Sequence, residues 1–451
     1  MSGYNTRFRN TIAQLRAMGC EVLVVTTGKG VSLPGVDFYA GVDPPSEFAG
    51  ARVLGAASFG CPAYWQVPLS FALEPRIFDE VRRFGADLIH CTSPGAMCGA
   101  AWLYAKVLNK PLIFSYHTHV PAYLPKYGLG WLSGAVWGAI KLFHRSATLT
   151  IAASASLGDT LVAHGASPAH ATKTWRPAVD AELFHPRWRS AAMRSRLSGG
   201  HPEDPLLVYV GRVGAEKNIG FLGAVLAANP AARLAIVGDG PARAELEAEL
   251  GPTGRVHFLG TLRGADLSAA YASGDVFVMP SETETLGFVV LEAMSSGLPV
   301  VAVRAGGIPD IVTAPGTSGF LYEPGDAAAA SQAVKALLGS EQLRARVGAA
   351  AREHTAQWGW EAATRHMLSA QYPLAMALHA RQQAADSQPS SAGAWGAAAV
   401  AAKGVISMRA QGANRVRGAG GLAGKGAVAA GKGAVAVAGS VAQRVAVAAK
   451  R

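Results

Sequence analysis

The sequence predicts an α/β protein made of two doubly wound, Rossmann-like domains that face a central cleft. In both halves of the chain, short apolar runs alternate with segments of helical period, and a Gly-containing turn follows most runs. Strands that alternate with helices in this way form a parallel sheet covered on both faces. A Pro-, Arg-, Ser- and Gly-rich stretch at residues 186–202 is the predicted linker. Two such domains place a ligand cleft between them.

The rhythm is clearest in the second half. Its apolar runs predict six strands, namely Leu206–Val210, Leu234–Val237, Val256–Leu259, Val276–Met279, Val300–Val303 and Phe320–Tyr322. The first half is looser and predicts strands at Val22–Thr27, Leu88–His90, Leu112–Tyr116 and Leu149–Ala152. We therefore predict a first domain over residues 1–190, a second over 203–355, and a C-terminal helix over 356–385 that returns to the first.

Both ends of the chain depart from this pattern. Phe8, Ile12 and Leu15 line one face of a predicted helix, but no strand precedes it, whereas a doubly wound domain normally begins with a central strand. We expect the first domain to lack that strand because the sequence is truncated. Residues 386–451 are rich in Ala and Gly and basic throughout, and we expect a disordered, solvated tail, with contact to a membrane surface as the alternative.

Composition excludes several classes of protein. From Ser387 onward there are nine basic and no acidic residues, so the rest of the chain is nearly neutral, with 32 basic against 30 acidic residues. A nucleic-acid-binding body is therefore not expected. The four cysteines form no CxxC pair, which argues against a disulfide scaffold or a zinc site. No run of about 18 apolar residues suggests a membrane-spanning helix.

The turn after the first strand of the second half carries basic residues. Gly211 would let a ligand approach the backbone closely, and Arg212 and Lys217 supply two positive charges near the start of a predicted helix. This arrangement suits a diphosphate, with a solvated basic turn as the alternative.

Gly238 lies in a tight turn after the next strand, at the edge where open sheets bind ligands.

Two carboxylates with seven residues between them form the strongest motif. Glu284 lies in a loop after a predicted strand and Glu292 in the following helix, where each can accept sugar hydroxyls, while Gly287 offers backbone amides to a phosphate. A carboxylate within the apolar segment Val289–Met294 needs a partner; a salt bridge on a surface helix is the alternative.

Further on, the turn at residues 305–310 contains glycines that we expect to leave backbone amides free.

These motifs, in this order and spacing, resemble the donor domain of the retaining family 4 glycosyltransferases, which have the GT-B fold. Residues 211–218, 238–241, 284–292 and 306–310 carry the resemblance. Residues 2–4, 61–64, 115–121, 271–282 and 291–301 are also similar to the plant and algal sulfoquinovosyltransferases. The similarity extends from Ser2 to about Ala385.

The resemblance implies a role for each site residue. Arg212 and Lys217 would hold the donor diphosphate, and Glu292 would bind the ribose of UDP. Glu284 would bind hydroxyls of the transferred sugar. The backbone amides at Gly3 would lie near the phosphates. His117 would lie beneath the sugar, although a buried histidine at a strand end is often only a core residue.

The resemblance also implies the reaction, which is a retaining transfer of sulfoquinovose from UDP-sulfoquinovose to diacylglycerol at a chloroplast membrane. The UDP-sugar is the donor substrate and no other cofactor is expected, because Arg212, Lys217 and a helix N-terminus can stabilise the departing UDP without a metal. Aromatic and basic residues within 123–145 suit peripheral membrane contact, with an amphipathic core helix as the alternative. The sulfonate needs a cation, which Lys126, Arg145 or Arg7 could supply.

Three other functions stay open on the sequence. One is another UDP-hexose-dependent lipid glycosyltransferase that uses a neutral sugar. A second is a truncated, non-catalytic nucleotide-sugar-binding protein, suggested by the missing first strand. A nicotinamide-dependent dehydrogenase ranks last, because no strand is followed by GxGxxG with an acidic residue about 20 positions later.

Overall fold

A computed structural model describes residues 3–30, 43–61, 64–387, 434–438 and 447–450. The chain forms two α/β halves, each built on its own largely parallel sheet. This architecture confirms the predicted fold class. In the described part of the chain, no helix combines the length and the apolar character needed to cross a membrane.

The first half contains eight strands and six helices within its described residues. The strands are β1 (Glu21–Gly30), β2 (Glu47–Phe48), β3 (Ala51–Cys61), β4 (Tyr64–Leu69), β5 (Leu88–Ser93), β6 (Leu112–Tyr116), β7 (Leu149–Ala152) and β8 (Thr172–Thr174). The helices are α1 (Gly3–Ala17), α2 (Pro75–Phe84), α3 (Cys98–Val107), α4 (Val120–Tyr123), α5 (Ser133–Ser146) and α6 (Ala155–Ala163). The strands β5 to β8 pair in parallel succession, and β3 pairs in parallel with β1.

Helices cover both faces of this sheet, and β1 accordingly buries side chains on each side. Leu23 and Val25 join a core with residues of α2 and α3, whereas Val22 and Val24 join a core with residues of α1. Side chains alternate across a strand, so a continuous apolar run such as this one marks a strand buried on both faces.

The second half contains six strands in the order β11-β10-β9-β12-β13-β14, all parallel. They are β9 (Leu206–Val210), β10 (Arg233–Val237), β11 (Val256–Gly260), β12 (Val276–Met279), β13 (Val300–Val303) and β14 (Phe320–Tyr322). Its helices are α7 (Ala191–Leu197), α8 (Leu222–Ala228), α9 (Arg243–Leu250), α10 (Gly264–Ser273), α11 (Phe288–Ser295), α12 (Ala327–Leu338) and α13 (Glu341–Ala356). Every strand predicted in this half forms within one residue of its expected bounds.

The predicted linker at residues 186–202 contains regular structure that packs on the second half. It contains α7, whose Met193 and Leu197 are buried in the core of the second half. The guanidinium of Arg194 makes a bidentate contact of 2.9 and 3.1 Å with the carboxylate of Asp275. The apolar side chains of α7 are spaced to bury one helical face. Together with the Arg194–Asp275 ion pair, this burial attaches the segment to the second half.

The chain then returns to the first half through α14 (Trp360–His366), a π-helical segment (Met367–Gln371) and α15 (Tyr372–Ser387). Met367, Tyr372 and Ala375 are buried in the same core as residues of α1. The return lies where the sequence places a C-terminal helix. The backbone amide of Val179 donates to the carbonyl of Trp358 at 2.8 Å, joining the outgoing and returning segments.

Two segments of the C-terminal tail lie between β1 and β5, where the sequence predicts a missing strand. They are β15 (Ala434–Ala438), parallel to both neighbours, and β16 (Val447–Lys450), antiparallel to both. The other tail residues beyond Ser387 lie outside the described ones, and the disorder expected for residues 386–451 stays a prediction.

Gly238 offers a test of the turn geometry in the second half. Its φ is +143°, and a Cβ atom there would overlap the carbonyl oxygen of Gly211. We expect Gly238→Ala to lower the free energy of unfolding by about 2–4 kcal/mol, measured by urea denaturation. Gly251→Ala is the matched control, because Gly251 has a helical φ of −58° and open space at its Cβ position. Equal effects of the two substitutions would contradict this account.

Candidate active site

The predicted site residues lie at the carboxyl ends of parallel strands. Gly211 directly follows β9, Gly238 follows β10, and His117 follows β6 in the first half. Glu284 lies in the loop between β12 and α11. Loops after parallel strands meet at one edge of a sheet, which is where open α/β sheets bind ligands. The structure therefore brings the predicted residues to the edges where we expect a cleft.

Arg212 joins the two halves through a small polar network. Its guanidinium donates to Oε1 of Glu216 at 2.7 Å and to the hydroxyl of Tyr127 at 3.3 Å. The Tyr127 hydroxyl in turn donates to Oε2 of Glu216 at 2.8 Å. Burial of Glu216 would raise its pKa, but the hydrogen bond from Tyr127 and the charge of Arg212 outweigh burial and lower it. Glu216 is thus ionised and holds Arg212 in place.

Lys217 and Glu284 form a salt bridge across the site. The Nζ of Lys217 lies 2.5 Å from Oε1 of Glu284, and both side chains are mostly buried, with 14% and 15% exposed. Burial alone would lower the pKa of Lys217, but the Glu284 carboxylate outweighs it and raises the pKa. The residue predicted to bind a diphosphate thus touches the residue predicted to bind the sugar.

The segment that carries Lys217 differs from the predicted one in its local structure. Ala215–Lys217 is a single 3-10 turn, and the α-helix of this region begins only at Leu222. Helix α8 has seven residues and is preceded by a second 3-10 turn, Ile219–Phe221, so no α-helix starts directly after Lys217. The positive charge at this turn therefore comes from the Arg212 and Lys217 side chains.

Glycines shape the backbone that carries Glu284. The amide of Gly307 donates to the carbonyl of Glu284 at 2.8 Å, and a Cβ atom on Gly306 would overlap that same carbonyl oxygen. The expectation that these glycines leave backbone amides free is therefore wrong for Gly307. The close approach of two backbones explains why both positions lack a side chain.

Glu292 has the partner that its apolar surroundings require. The hydroxyl of Tyr271 on α10 donates to Oε2 of Glu292 at 2.8 Å. Burial raises the pKa of Glu292 to about 7, although this hydrogen bond opposes the shift. The alternative, in which Glu292 caps or salt-bridges a surface helix, is not what the described residues show, since its side-chain partner among them is Tyr271. Gly287, with a φ of +101°, caps the N-terminus of α11, which carries Glu292.

His117 lies in an aromatic cluster of the first half. Its ring centroid is 5.4 Å from that of Phe8 and 5.1 Å from that of Trp175. Burial, and then the charges of Arg7 and His90, hold the pKa of His117 well below its usual range. The imidazole is therefore neutral at physiological pH and a weak base. Gly3 begins α1, so its backbone amide has no acceptor within the helix itself.

Sequence reasoning missed the tyrosines that complete the site. Tyr127 contacts Arg212 and Glu216, and the Tyr123 hydroxyl donates to the carbonyl of Thr283 at 3.2 Å. Both tyrosines belong to the aromatic stretch that the sequence assigns to a membrane interface. Nothing in their spacing distinguishes a tyrosine that crosses a cleft from one that faces a membrane.

Both halves of the chain match models of known families. Residues 1–183 match the family described as Glycosyltransferase Family 4, and residues 195–354 match the one described as Glycosyl transferases group 1. The boundary between the two matches falls within the segment that joins the halves.

Related proteins support the same assignment. The sulfoquinovosyl transferase SQD2 of Arabidopsis thaliana is 50% identical over 378 residues, which are 83% of this chain and 71% of the relative. A GDP-mannose-dependent alpha-mannosyltransferase of Mycolicibacterium smegmatis is 36% identical over 80% of this chain and 90% of its own. The structure of sucrose-phosphate synthase from Thermosynechococcus elongatus superposes with a TM-score of 0.66 at 23% identity, over 84% of this chain and 94% of that one. This last likeness shows a shared fold.

The raised pKa of Glu292 makes stability depend on pH. Between about pH 4.5 and 7 the folded state retains a proton on Glu292 that the unfolded state has lost, so the free energy of unfolding falls as the pH rises through this window. We expect the free energy of unfolding of Glu292→Gln, taken relative to the wild type, to be about 2 kcal/mol higher at pH 8 than at pH 5, measured by urea denaturation. Tyr271→Phe should steepen the dependence, since it removes the hydrogen bond that lowers the pKa. An offset between Glu292→Gln and the wild type that stays constant with pH would contradict the assignment.

Proposed function

This chain belongs to the family 4 and group 1 glycosyltransferases and has their GT-B fold, and on that premise we propose that it transfers sulfoquinovose from UDP-sulfoquinovose to diacylglycerol. The observation that carries the proposal is the cluster of Arg212, Lys217 and Glu284 at the meeting of the two halves. The choice of sugar is supported by the Arabidopsis relative, which is 50% identical and whose name specifies sulfoquinovosyl transfer. That relationship also favours a chloroplast location.

In the proposed complex the donor replaces the carboxylates that pair with the cations of the site in this structure. The diphosphate would take Arg212 and Lys217 from Glu216 and Glu284. Glu284, released from Lys217, would then accept hydrogen bonds from the sugar hydroxyls. Glu292 would bind the ribose hydroxyls. Charged groups held in place before the reaction cost little reorganisation when the leaving group develops its charge.

The proposed transfer retains configuration at the anomeric carbon. As the glycosidic bond lengthens, negative charge grows on the departing UDP, and Arg212 and Lys217 stabilise it without a metal ion. The acceptor hydroxyl attacks the anomeric carbon from the face that UDP leaves, and a phosphate oxygen takes its proton. His117 does not act as the base, because its pKa lies well below its usual range. We assign it instead to positioning the sugar.

Peripheral contact with a membrane would give access to diacylglycerol. Trp131 and Leu142 are 78% and 69% exposed, and they lie in the stretch of the first half that also contains Tyr123 and Tyr127. One end of this stretch thus faces the second half, while large apolar side chains elsewhere in it are in solvent. Exposed tryptophan and leucine side chains gain free energy when they enter a membrane interface.

A donor competition tests this function. UDP-sulfoquinovose, UDP-glucose and UDP-galactose are offered together, with diacylglycerol vesicles and a chelator of divalent cations, and the lipid products are identified by mass. We expect a sulfonated glycolipid to dominate and the chain to float with the vesicles. A neutral glycolipid as the main product would reject the proposed donor. Activity that returns only when divalent cations are restored would reject the metal-free mechanism.

The two carboxylates should separate turnover from nucleotide binding. We expect Glu284→Gln to lower turnover at least about 100-fold, because its contacts are to the reacting sugar. Its affinity for UDP should be kept or raised, since Lys217 loses a competing partner. Glu292→Ala should weaken UDP about tenfold or more, measured by calorimetry. Equal UDP affinity in the wild type and Glu292→Ala would remove the ribose assignment.

A further inference from the structure

We propose that the guanidinium of Arg7 binds the sulfonate of the transferred sugar and thereby selects a sulfonated donor over a neutral one. This inference rests on the proposed function and deepens it, because it assigns the choice of donor to one side chain. The ligand chemistry is that of a singly charged anion with three equivalent oxygen atoms.

Arg7 lies where the two halves meet. It belongs to α1 and is buried, with 1% of its surface exposed. Its Cζ atom lies 4.9 Å from the ring centroid of Trp175 and 5.0 Å from that of Phe288. Trp175 is part of the core of the first half, whereas Phe288 is the first residue of α11, directly after Gly287. The guanidinium is therefore held between the first half and the start of the helix that carries Glu292.

The guanidinium lacks an acceptor. None of its three nitrogen atoms has a hydrogen-bond partner in the part of the chain that the structure describes, although all three are buried. The two aromatic rings attract the positive charge but leave the five N–H donors unsatisfied. Burial lowers the pKa of Arg7 to about 9, so the group is still a cation at neutral pH. A buried cation without an acceptor is costly, which indicates that an anion completes the site.

The surroundings favour the sulfonate over the diphosphate as that anion. The positive charge of Arg7 is near enough to His117 to lower the pKa of that imidazole, and His117 is the group we assign to the sugar. The diphosphate already has two cations in Arg212 and Lys217. Arg donors match two oxygens of a tetrahedral anion in a bidentate contact. A neutral hexose would leave those donors unpaired, and a site built for hydrogen bonding rejects a ligand that lacks the partner.

The other two basic residues considered for the sulfonate are less suited to it. The Nε atom of Arg145 donates to the carbonyl of Gly165 at 2.7 Å, and the side chain is exposed. Lys126 lies in the exposed turn Leu124–Tyr127. The charged groups of Arg145 and Lys126 can hydrogen-bond to water, whereas the buried guanidinium of Arg7 cannot.

Calorimetry on the full chain tests the inference without relying on turnover. The affinities of UDP-sulfoquinovose, UDP-glucose and UDP are measured for the wild type, Arg7→Met and Arg7→Lys. We expect Arg7→Met to weaken UDP-sulfoquinovose about 50-fold and to change UDP less than about threefold. Arg7→Lys should fall between, since it keeps the charge but loses the planar pair of donors.

A matched control and a stability measurement separate binding from folding. Arg9 lies on the same helix, is exposed, and has its Cζ atom 4.9 Å from the ring of Phe48, so Arg9→Met removes a cation next to a ring away from the cleft. It should leave all three affinities unchanged. The thermal midpoint of Arg7→Met should equal or exceed that of the wild type, because the substitution removes an unpaired buried charge.

Each remaining outcome contradicts a specific claim. If Arg7→Met weakens UDP as much as UDP-sulfoquinovose, the guanidinium binds the diphosphate and the inference is overturned. If the wild type prefers UDP-sulfoquinovose and the preference survives in Arg7→Met, only this inference fails. If the wild type shows no preference for UDP-sulfoquinovose over UDP-glucose, the proposed function fails with it.

Discussion

The salt bridge between Lys217 and Glu284 is the interaction on which the candidate site depends. It joins the loop after β9 to the loop after β12, and both partners are mostly buried. Either charge alone would be strongly destabilising there, whereas the pair offsets much of the cost of removing both from water. The neighbouring Thr283 donates to the carbonyl of Glu216 and accepts a hydrogen bond from Tyr123 through its own carbonyl. The same loop therefore also contacts the first half.

The charges around this salt bridge nearly cancel, and this constrains what the site can bind. Arg212 is matched by Glu216 and Lys217 by Glu284. An anionic ligand must therefore displace a carboxylate from each of these cations, and the carboxylates must find hydroxyl donors in return. A nucleotide sugar offers both kinds of group in one molecule. Arg7 differs from the other two cations because no hydrogen-bond acceptor contacts its guanidinium within the described residues, so an anion that reaches it displaces none of them.

The parts of the structure that the sequence predicts are those set by local pattern. The strands of the second half follow from uninterrupted apolar runs, and the need of Glu292 for a partner follows from its apolar neighbours. The identity of that partner, Tyr271, depends on how α10 packs against α11. Strand β3 was missed because Ala51–Cys61 is rich in Ala and Gly, and its pairing with β1 stabilises it rather than its own propensity. The burial of Arg7 was equally hidden, since the rings around it come from distant parts of the chain.

The C-terminal helices that pack against α1 have a consequence for the order in which the chain folds. Among the described residues, the buried members of the core of the second half lie within 179–351 and Trp358 packs against them, so this core can form soon after that segment has left the ribosome. The first half is synthesised earlier, yet its core includes Met367, Tyr372 and Ala375 beside Phe8 and the other apolar residues of α1. Such contacts between the two ends of a chain form late, because they close the longest loops. The half made first is thus finished last, and during synthesis its apolar helix face stays exposed to solvent and to the machinery that protects nascent chains.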